Sequence, residues 1–156
     1  TPFLWFNDNA EEAVNLYVSL FKNSRIVKTI LYSNEAAQIS NRPIGSIMSI
    51  DFELEGQSFG AINGGPMYQF TPAISFAVYC DTQAEIDRYW DALSEGGQVH
   101  QCGWLTDRFG VTWQIVPKAL NTMLAAQDTA KAQQVMHAMF PMKKLDIATL
   151  EAAYNQ

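Results

Sequence analysis

The sequence predicts an α+β fold made of two βαβββ copies, with helices appended at the C-terminal end. Three observations carry that expectation. The chain repeats its own pattern at an offset of 73 residues, each copy opens with a short apolar run followed by a capped amphipathic helix, and beyond Lys118 the composition turns to Ala, Met, Leu and Gln. At the 73-residue offset Phe3 falls on Phe76, Phe6 on Tyr79, Asp8 on Asp81, Glu12 on Glu85, Leu16 on Tyr89, Tyr17 on Trp90, Leu20 on Leu93 and Ile26 on Val99.

The opening runs, Phe3 to Phe6 and Ile74 to Tyr79, are too short for helices and rich in aromatic or branched residues, which favours strands. A helix follows each. Asp8 with Glu11, and Thr82 with Glu85, have the spacing in which a side chain caps the free N–H groups of a first turn and an acid three residues on reaches back. Ala13, Leu16, Tyr17, Leu20 and Phe21 then recur at helical spacing, as do Ile86, Tyr89, Trp90 and Leu93. Glu12, Asn15, Ser19, Asp87, Arg88 and Asp91 are left for solvent.

After the turn formers Asn23-Ser24, the first copy reads as strands over Arg25 to Tyr32, Ser46 to Leu54 and Ser58 to Asn63. Met48, Ile50, Phe52 and Leu54 alternate with Ile47, Ser49, Asp51 and Glu53, and Glu55-Gly56-Gln57 supplies a hairpin turn. After Gly96-Gly97, the second copy gives strands at Gln98 to Cys102, Gly103 to Asp107 and Val111 to Val116, the last two joined by Arg108-Phe109-Gly110. The copies occupy residues 1–63 and 73–117, with a linker over 64–72. Residues 118–156 form a helical extension of the same domain, with helices at Ala119 to Ala126, Thr129 to Phe140 and Ile147 to Tyr154. Asp128 or Thr129 caps the second of these, Asp146 the third, and Pro141 interrupts them.

Composition narrows the function. A chain of 156 residues, 48% hydrophobic, buries about 70% of its unfolded surface, enough for a core without disulfides or a structural metal. Two Cys and two His, with no CxxC or HxxxH spacing, do not make a zinc site. The formal charge is -6, and only Lys143-Lys144 are adjacent bases, so a nucleic-acid partner is not expected. No run approaches the roughly 20 apolar residues of a membrane span and no basic-then-apolar leader precedes Thr1, so the sequence is read as cytoplasmic.

The segments PFLWF at 2–6, EEAVNLYVSLF at 11–21, CGWLTDRFGVTWQIVP at 102–117 and MKKLDIATLEAAY at 142–154 resemble the PhnB-like branch of the vicinal oxygen chelate superfamily. That superfamily includes glyoxalases, bleomycin-resistance proteins and dioxygenases. Members of the branch often carry the label demethylubiquinone methyltransferase-like. The resemblance implies curved mixed sheets enclosing a cavity, usually in a homodimer. It also raises methyl transfer, which the residues do not favour. A donor on a doubly wound sheet meets a Gly-rich strand-to-helix turn, whereas Gly64-Gly65 precedes Pro66 and an apolar strand, and Gly96-Gly97 likewise leads into a strand.

Enzymes of the superfamily hold a divalent cation with His, Glu or Gln from the first and last strands of each module, and the metal acts as a Lewis acid on vicinal oxygens. Carried over, the first-strand positions fall on Thr1 and Ile74, and the last-strand positions on Gly60 or Ala61 and on Gln114. One neutral amide is a weak site for a hard or borderline cation. The expectation is therefore no cofactor and no metal ligands, with a divalent metal, from ligands unplaced or from a dimer partner, as the alternative.

The ligand-pocket candidates are Trp5, Asn63, Trp104, Trp113 and Gln114, with Phe59 and Tyr68 as further rings, because an aromatic wall with a few polar groups is the usual character of a small-molecule site. His100 is either a general base or simply hydrogen-bonded. Asp107 and Arg108 either orient an anion or serve their turn. Cys80 and Cys102 read as buried thiols, and His137 as a helix-surface residue. No nucleophile, base and orienter form a recognisable set. The expected function is binding of a small apolar or aromatic molecule; the alternative is a metal-dependent lyase, isomerase or dioxygenase-like enzyme. The Met-rich C-terminal helices, with Met136, Met139 and Met142, cover either a dimer, their own sheet or another protein.

Overall fold

The computed structural model describes residues 1–156 as two compact units, Thr1–Phe70 and Thr71–Gln156. In the first unit the order is β1 (Phe3–Phe6), α1 (Ala10–Leu20), β2 (Arg25–Leu31), α2 (Asn34–Ser40), β3 (Ile47–Leu54) and β4 (Gln57–Asn63). They form one curved mixed sheet of order β1-β4-β3-β2, in which only the β1 and β4 pair is parallel. The alternation foreseen in β3 is observed: Ile50, Phe52 and Leu54 are buried together with Leu4, Phe6, Phe59 and Ala61, and α1 adds Ala13, Val14, Tyr17 and Leu20. Phe52 and Phe59 are direct cross-strand partners and stack at 5.4 Å. Glu55 and Gly56 both have positive φ, the two-residue hairpin that matches strand twist.

Two features differ from the sequence reading. The helix α2 was not anticipated; Ser33 caps it by accepting from the Ala36 N–H, and Asn41 ends it in the left-handed region, where Asn is tolerated. Asp8 does not cap α1. The N-cap residue is Asn9, whose side chain makes no cap bond, and the N–H of Ala10 goes instead to the Asn63 Oδ1 at 2.9 Å, a cap supplied from the end of β4.

The second unit runs β5 (Phe76–Cys80), α3 (Gln83–Ser94), β6 (Gln98–Val99), β7 (Trp104–Thr106) and β8 (Thr112–Pro117), then α4 (Lys118–Leu124), α5 (Thr129–Met139) and α6 (Ile147–Tyr154). Its mixed sheet has the order β5-β8-β7-β6, again with one parallel pair, β5 with β8. Thr82 caps α3 as foreseen, accepting from the Glu85 N–H. The strand expected through Cys102 stops at Val99. Cys102 has φ 59, and its N–H donates to the Met142 carbonyl at 2.8 Å, so the C-terminal chain takes the donor that a longer ladder would need.

The last three helices bury Leu120, Met123, Val135, Leu145 and Leu150 against Val116, with Met139 and Met142 packed on that cluster. Full burial of a leucine such as Leu145 or Leu150 contributes about 2 kcal/mol. Gln83 ties α3 to α6: its amide donates to the Leu145 carbonyl and its carbonyl accepts from the Ile147 N–H. Asp146 caps α6 through Thr149, whose hydroxyl and N–H hold the Asp146 carboxyl below the usual carboxylate range. No helix is long and apolar enough to cross a membrane.

Candidate functional site

Strand register and burial define two sheet faces in each unit. In the first unit the helix-covered face carries Leu4, Phe6, Ile50, Phe52, Phe59, Ala61 and Asn63; by alternation Phe3, Trp5, Ser49, Asp51, Gly60 and Ile62 share the other. In the second unit Val78, Cys80, Leu105, Trp113 and Ile115 form the buried face, and Ser75, Ala77, Tyr79, Trp104, Thr106, Thr112 and Gln114 the opposite one.

These faces correct the repeat. The helices obey the 73-residue offset, since Tyr17 and Trp90 are both buried, but the strands do not. Leu4 and Phe6 are the buried residues of β1 and Val78 and Cys80 those of β5, an offset of 74. The cause is the connection to the helix, three residues (Asn7, Asp8, Asn9) in the first copy and two (Asp81, Thr82) in the second. A one-residue slip moves a whole strand to the other face. Since Phe3 pairs with Gly60 and Ala77 with Gln114, Gln114 corresponds to Gly60, not to Ala61, and Thr1 corresponds to Ser75, not to Ile74.

The four positions at which the superfamily places metal ligands are therefore Thr1, Gly60, Ser75 and Gln114. Two hydroxyls, a glycine and an amide do not fit a divalent cation, which favours carboxylate or imidazole donors. Gln114 is also engaged, donating from Nε2 to the Ser75 Oγ at 2.9 Å. At Gly60 a methyl group would overlap the Phe3 ring, which lies across the glycine. No group of three or more His, Cys, Asp or Glu side chains is placed to hold a metal ion.

Trp5 is half-buried and repeats the same device one step along β1: its ring covers Gly64, its Nε1–H donates to the Gly65 carbonyl at 2.9 Å, and Tyr68 meets it edge-on at 5.0 Å. Phe3 and Tyr68 are 58% and 61% exposed. This side of the sheet is thus a shelf of rings backed by glycines. β1 is an edge strand, and an aromatic ring over a neighbouring glycine restores the packing that the missing side chain forfeits.

The other candidates separate. Trp104 and Gln114 are cross-strand partners on one half-buried face, and the ring of His100 joins them there: its Nε2 lies 2.9 Å from the Thr106 Oγ1, which lies 3.3 Å from the Thr112 Oγ1. Trp113 is on the opposite face, 3% exposed, tilted against Phe76 at 5.4 Å, with its Nε1–H donating to the Asp107 Oδ2 at 2.9 Å. The same carboxylate accepts from the Phe109 and Val111 N–H groups, so Asp107 builds its turn and anchors the tryptophan. Asn63 is buried: it caps α1, donates from Nδ2 to the Ile47 carbonyl at 3.1 Å, and its own carbonyl accepts from the Tyr32 hydroxyl. Phe59 belongs to the core stack, and Arg108 lies over the Phe109 ring at 4.6 Å.

Sequence reasoning weighed Gly60 only as a metal position and Gly64 only as a glycine pair, and it passed over Phe3, Ser75, Thr106 and Thr112; the roles of the glycines and Phe3 lie in the packing of rings on glycines, and that of Ser75 required the strand offset. Clefts of about 700 Å³ beside Asn121, Ala125, Asp128, Lys131 and Tyr154, and of about 500 Å³ along Gln133, Gln134, His137 and Gln156, lie on the C-terminal helices and include none of the ring candidates.

Comparison with known proteins follows the same lines. The sequence model of the 3-demethylubiquinone-9 3-methyltransferase family matches residues 1–116. The PhnB protein of Bacillus cereus is 35% identical over 75% of this chain and 97% of its own, with a TM-score of 0.67. A protein from Pseudomonas aeruginosa is 25% identical over 74% and 94%, with a TM-score of 0.60. The fosfomycin resistance protein FosX of Mesorhizobium loti, 15% identical over 80% and 94% with a TM-score of 0.56, shares the fold. A search of curated proteins finds no match. With two βαβββ sheets and a family match over most of its length, the chain belongs to the 3-demethylubiquinone-9 3-methyltransferase-like, or PhnB-like, family of the vicinal oxygen chelate superfamily.

Proposed function

We propose that the chain binds a small apolar or aromatic molecule without the divalent cation usual in its superfamily. The Phe3 ring lying over Gly60 carries this reading. It fills the space from which a liganding side chain would project, and beside Trp5 and Tyr68 it offers exposed aromatic surface to a flat apolar ligand. Methyl transfer is not part of the proposal. Each sheet has a single parallel pair, and none of the strand-to-helix connections, Asn7–Asn9, Tyr32–Ser33, Asp81–Thr82 or the direct step from β8 into α4, contains a glycine to admit a donor's polar groups.

Titrating the chelator-treated protein with indole and 1-naphthol, followed by ring resonances in NMR, tests the proposal. Saturable shifts at Trp5 are expected, with about tenfold weaker binding in Phe3→Ala. Binding that appears only after adding back one equivalent of Zn, Ni, Mn or Fe per subunit would overturn it in favour of a metal-dependent lyase, isomerase or dioxygenase.

The proposal extends to a homodimer. β2 is an edge strand on which Ile26, Val27 and Leu31 are 40–54% exposed, an apolar edge of the kind that proteins cover. Light scattering should give twice the 17.5 kDa chain mass, falling to one chain mass in Val27→Lys; a monomeric parent protein would refute the assembly.

A further inference from the structure

We propose that the molecule held on the Phe3, Trp5 and Tyr68 shelf carries a protonated amine, and that Asp51, with the Ser49 hydroxyl beside it, receives that group. This rests on the shelf being the binding surface, and it names the chemical class of what binds there.

Register places the two polar side chains directly across from the rings. Phe3 pairs with Gly60 and Gly60 with Asp51; Trp5 pairs with Ile62 and Ile62 with Ser49. Residues opposite one another project from the same face of a sheet, so each ring of β1 lies in one cross-strand row with a polar residue of β3. In the first row the middle position is a glycine with the Phe3 ring lying over it, and no side chain of β4 stands between that ring and the Asp51 carboxylate. The Phe3 and Asp51 backbones are two strand spacings apart, about 10 Å. A flat ring system with a short polar arm spans that distance.

The protein itself uses neither polar group. Asp51 is half-buried and Ser49 only 8% exposed, yet neither side chain makes a hydrogen bond or an ion pair. The neighbouring row shows the contrast: Glu53 is the register partner of Arg25 and holds its guanidinium at 3.0 Å. Lys28 is the register partner of Asp51 beyond the bulge at Val27, but the two form no ion pair. Of the two carboxylates on this face, one is matched and the other is open. A nearly buried hydroxyl without a partner is destabilising, and a bound polar group relieves it.

Charge selects among the molecules that fit. An ammonium has three donors and no acceptor, so a carboxylate and a hydroxyl can both accept from it. Its positive charge is also attracted to the faces of tryptophan, tyrosine and phenylalanine rings. A ligand carboxylate in the same place would meet Asp51 with like charge, and the net charge of -6 acts in the same direction.

Three probes with one flat body test this on the whole chain: 1-naphthylmethylamine, 1-naphthalenemethanol and 1-naphthoate, each followed through the Trp5 indole N–H resonance. The amine should bind about tenfold more tightly than the alcohol, and the carboxylate least tightly, with the advantage of the amine shrinking in high salt. Asp51→Asn keeps the size of the side chain and should bring the amine down to the level of the alcohol, whose own affinity should not change. Ser49→Ala should weaken the amine about threefold. A preference for the amine that survives Asp51→Asn stems from the overall charge and overturns the proposal, as do equal binding of the three probes and tightest binding of the carboxylate; in each of these cases the shelf stands. Probes that leave the Trp5 resonance unmoved overturn the shelf as well.

Discussion

Replacing Asn63 with alanine is expected to lower the stability of the protein by about 3 kcal/mol, read as a fall in the urea midpoint with the slope unchanged. The side chain is buried and holds two backbone groups from different elements, the Ala10 N–H at the start of α1 and the Ile47 carbonyl in β3. Alanine fills neither role, and it leaves the buried Ala10 N–H and the part-buried Ile47 carbonyl without their partner. Aspartate keeps the acceptor for Ala10 but loses the donor to Ile47, so Asn63→Asp should lie between. A shift below about 1 kcal/mol in the alanine variant would show that α1 does not depend on this cap.

A similar or larger effect is expected for Trp113→Ala, about 4 kcal/mol, against a much smaller loss for Trp104→Ala. Trp113 is among the largest groups in the second unit's core, and its removal leaves both a void beside Phe76 and the Asp107 Oδ2 without the indole donor. Thermal unfolding of the two variants checks this: Trp113→Ala should melt well below the parent protein, and Trp104→Ala close to it. The reverse ordering would show that the faces have been assigned the wrong way round.

Much of the architecture was legible because it is written in local patterns. Met48 to Leu54 alternate with period two, and Ile86, Tyr89, Trp90 and Leu93 fall on one side of a helix, so strand and helix follow from the residues themselves. The seven-residue α2 was missed because so short a helix has little periodicity to display, and its Ser33 cap lacks an acid three residues on. The site was less legible for a different reason. Whether a strand residue faces the core or the ligand depends on parity, and parity was lost in the one-residue difference between the two strand-to-helix connections. Trp113 and Gln114 were grouped for their residue types, a ring and an amide, although neighbours along one strand face opposite ways. Asn63 and Asp107 had unremarkable local settings, and their roles arise from partners 53 residues away in one case and across a turn in the other.

The interlock of Phe3 and Gly60 also constrains how this lineage can change. A glutamate or histidine at position 60 has nowhere to go while the ring stays, and loss of the ring alone strips cover from the glycine's backbone. A side chain at position 60 therefore calls for a compensating smaller residue at position 3, so the two positions act as one steric unit across the strand pair.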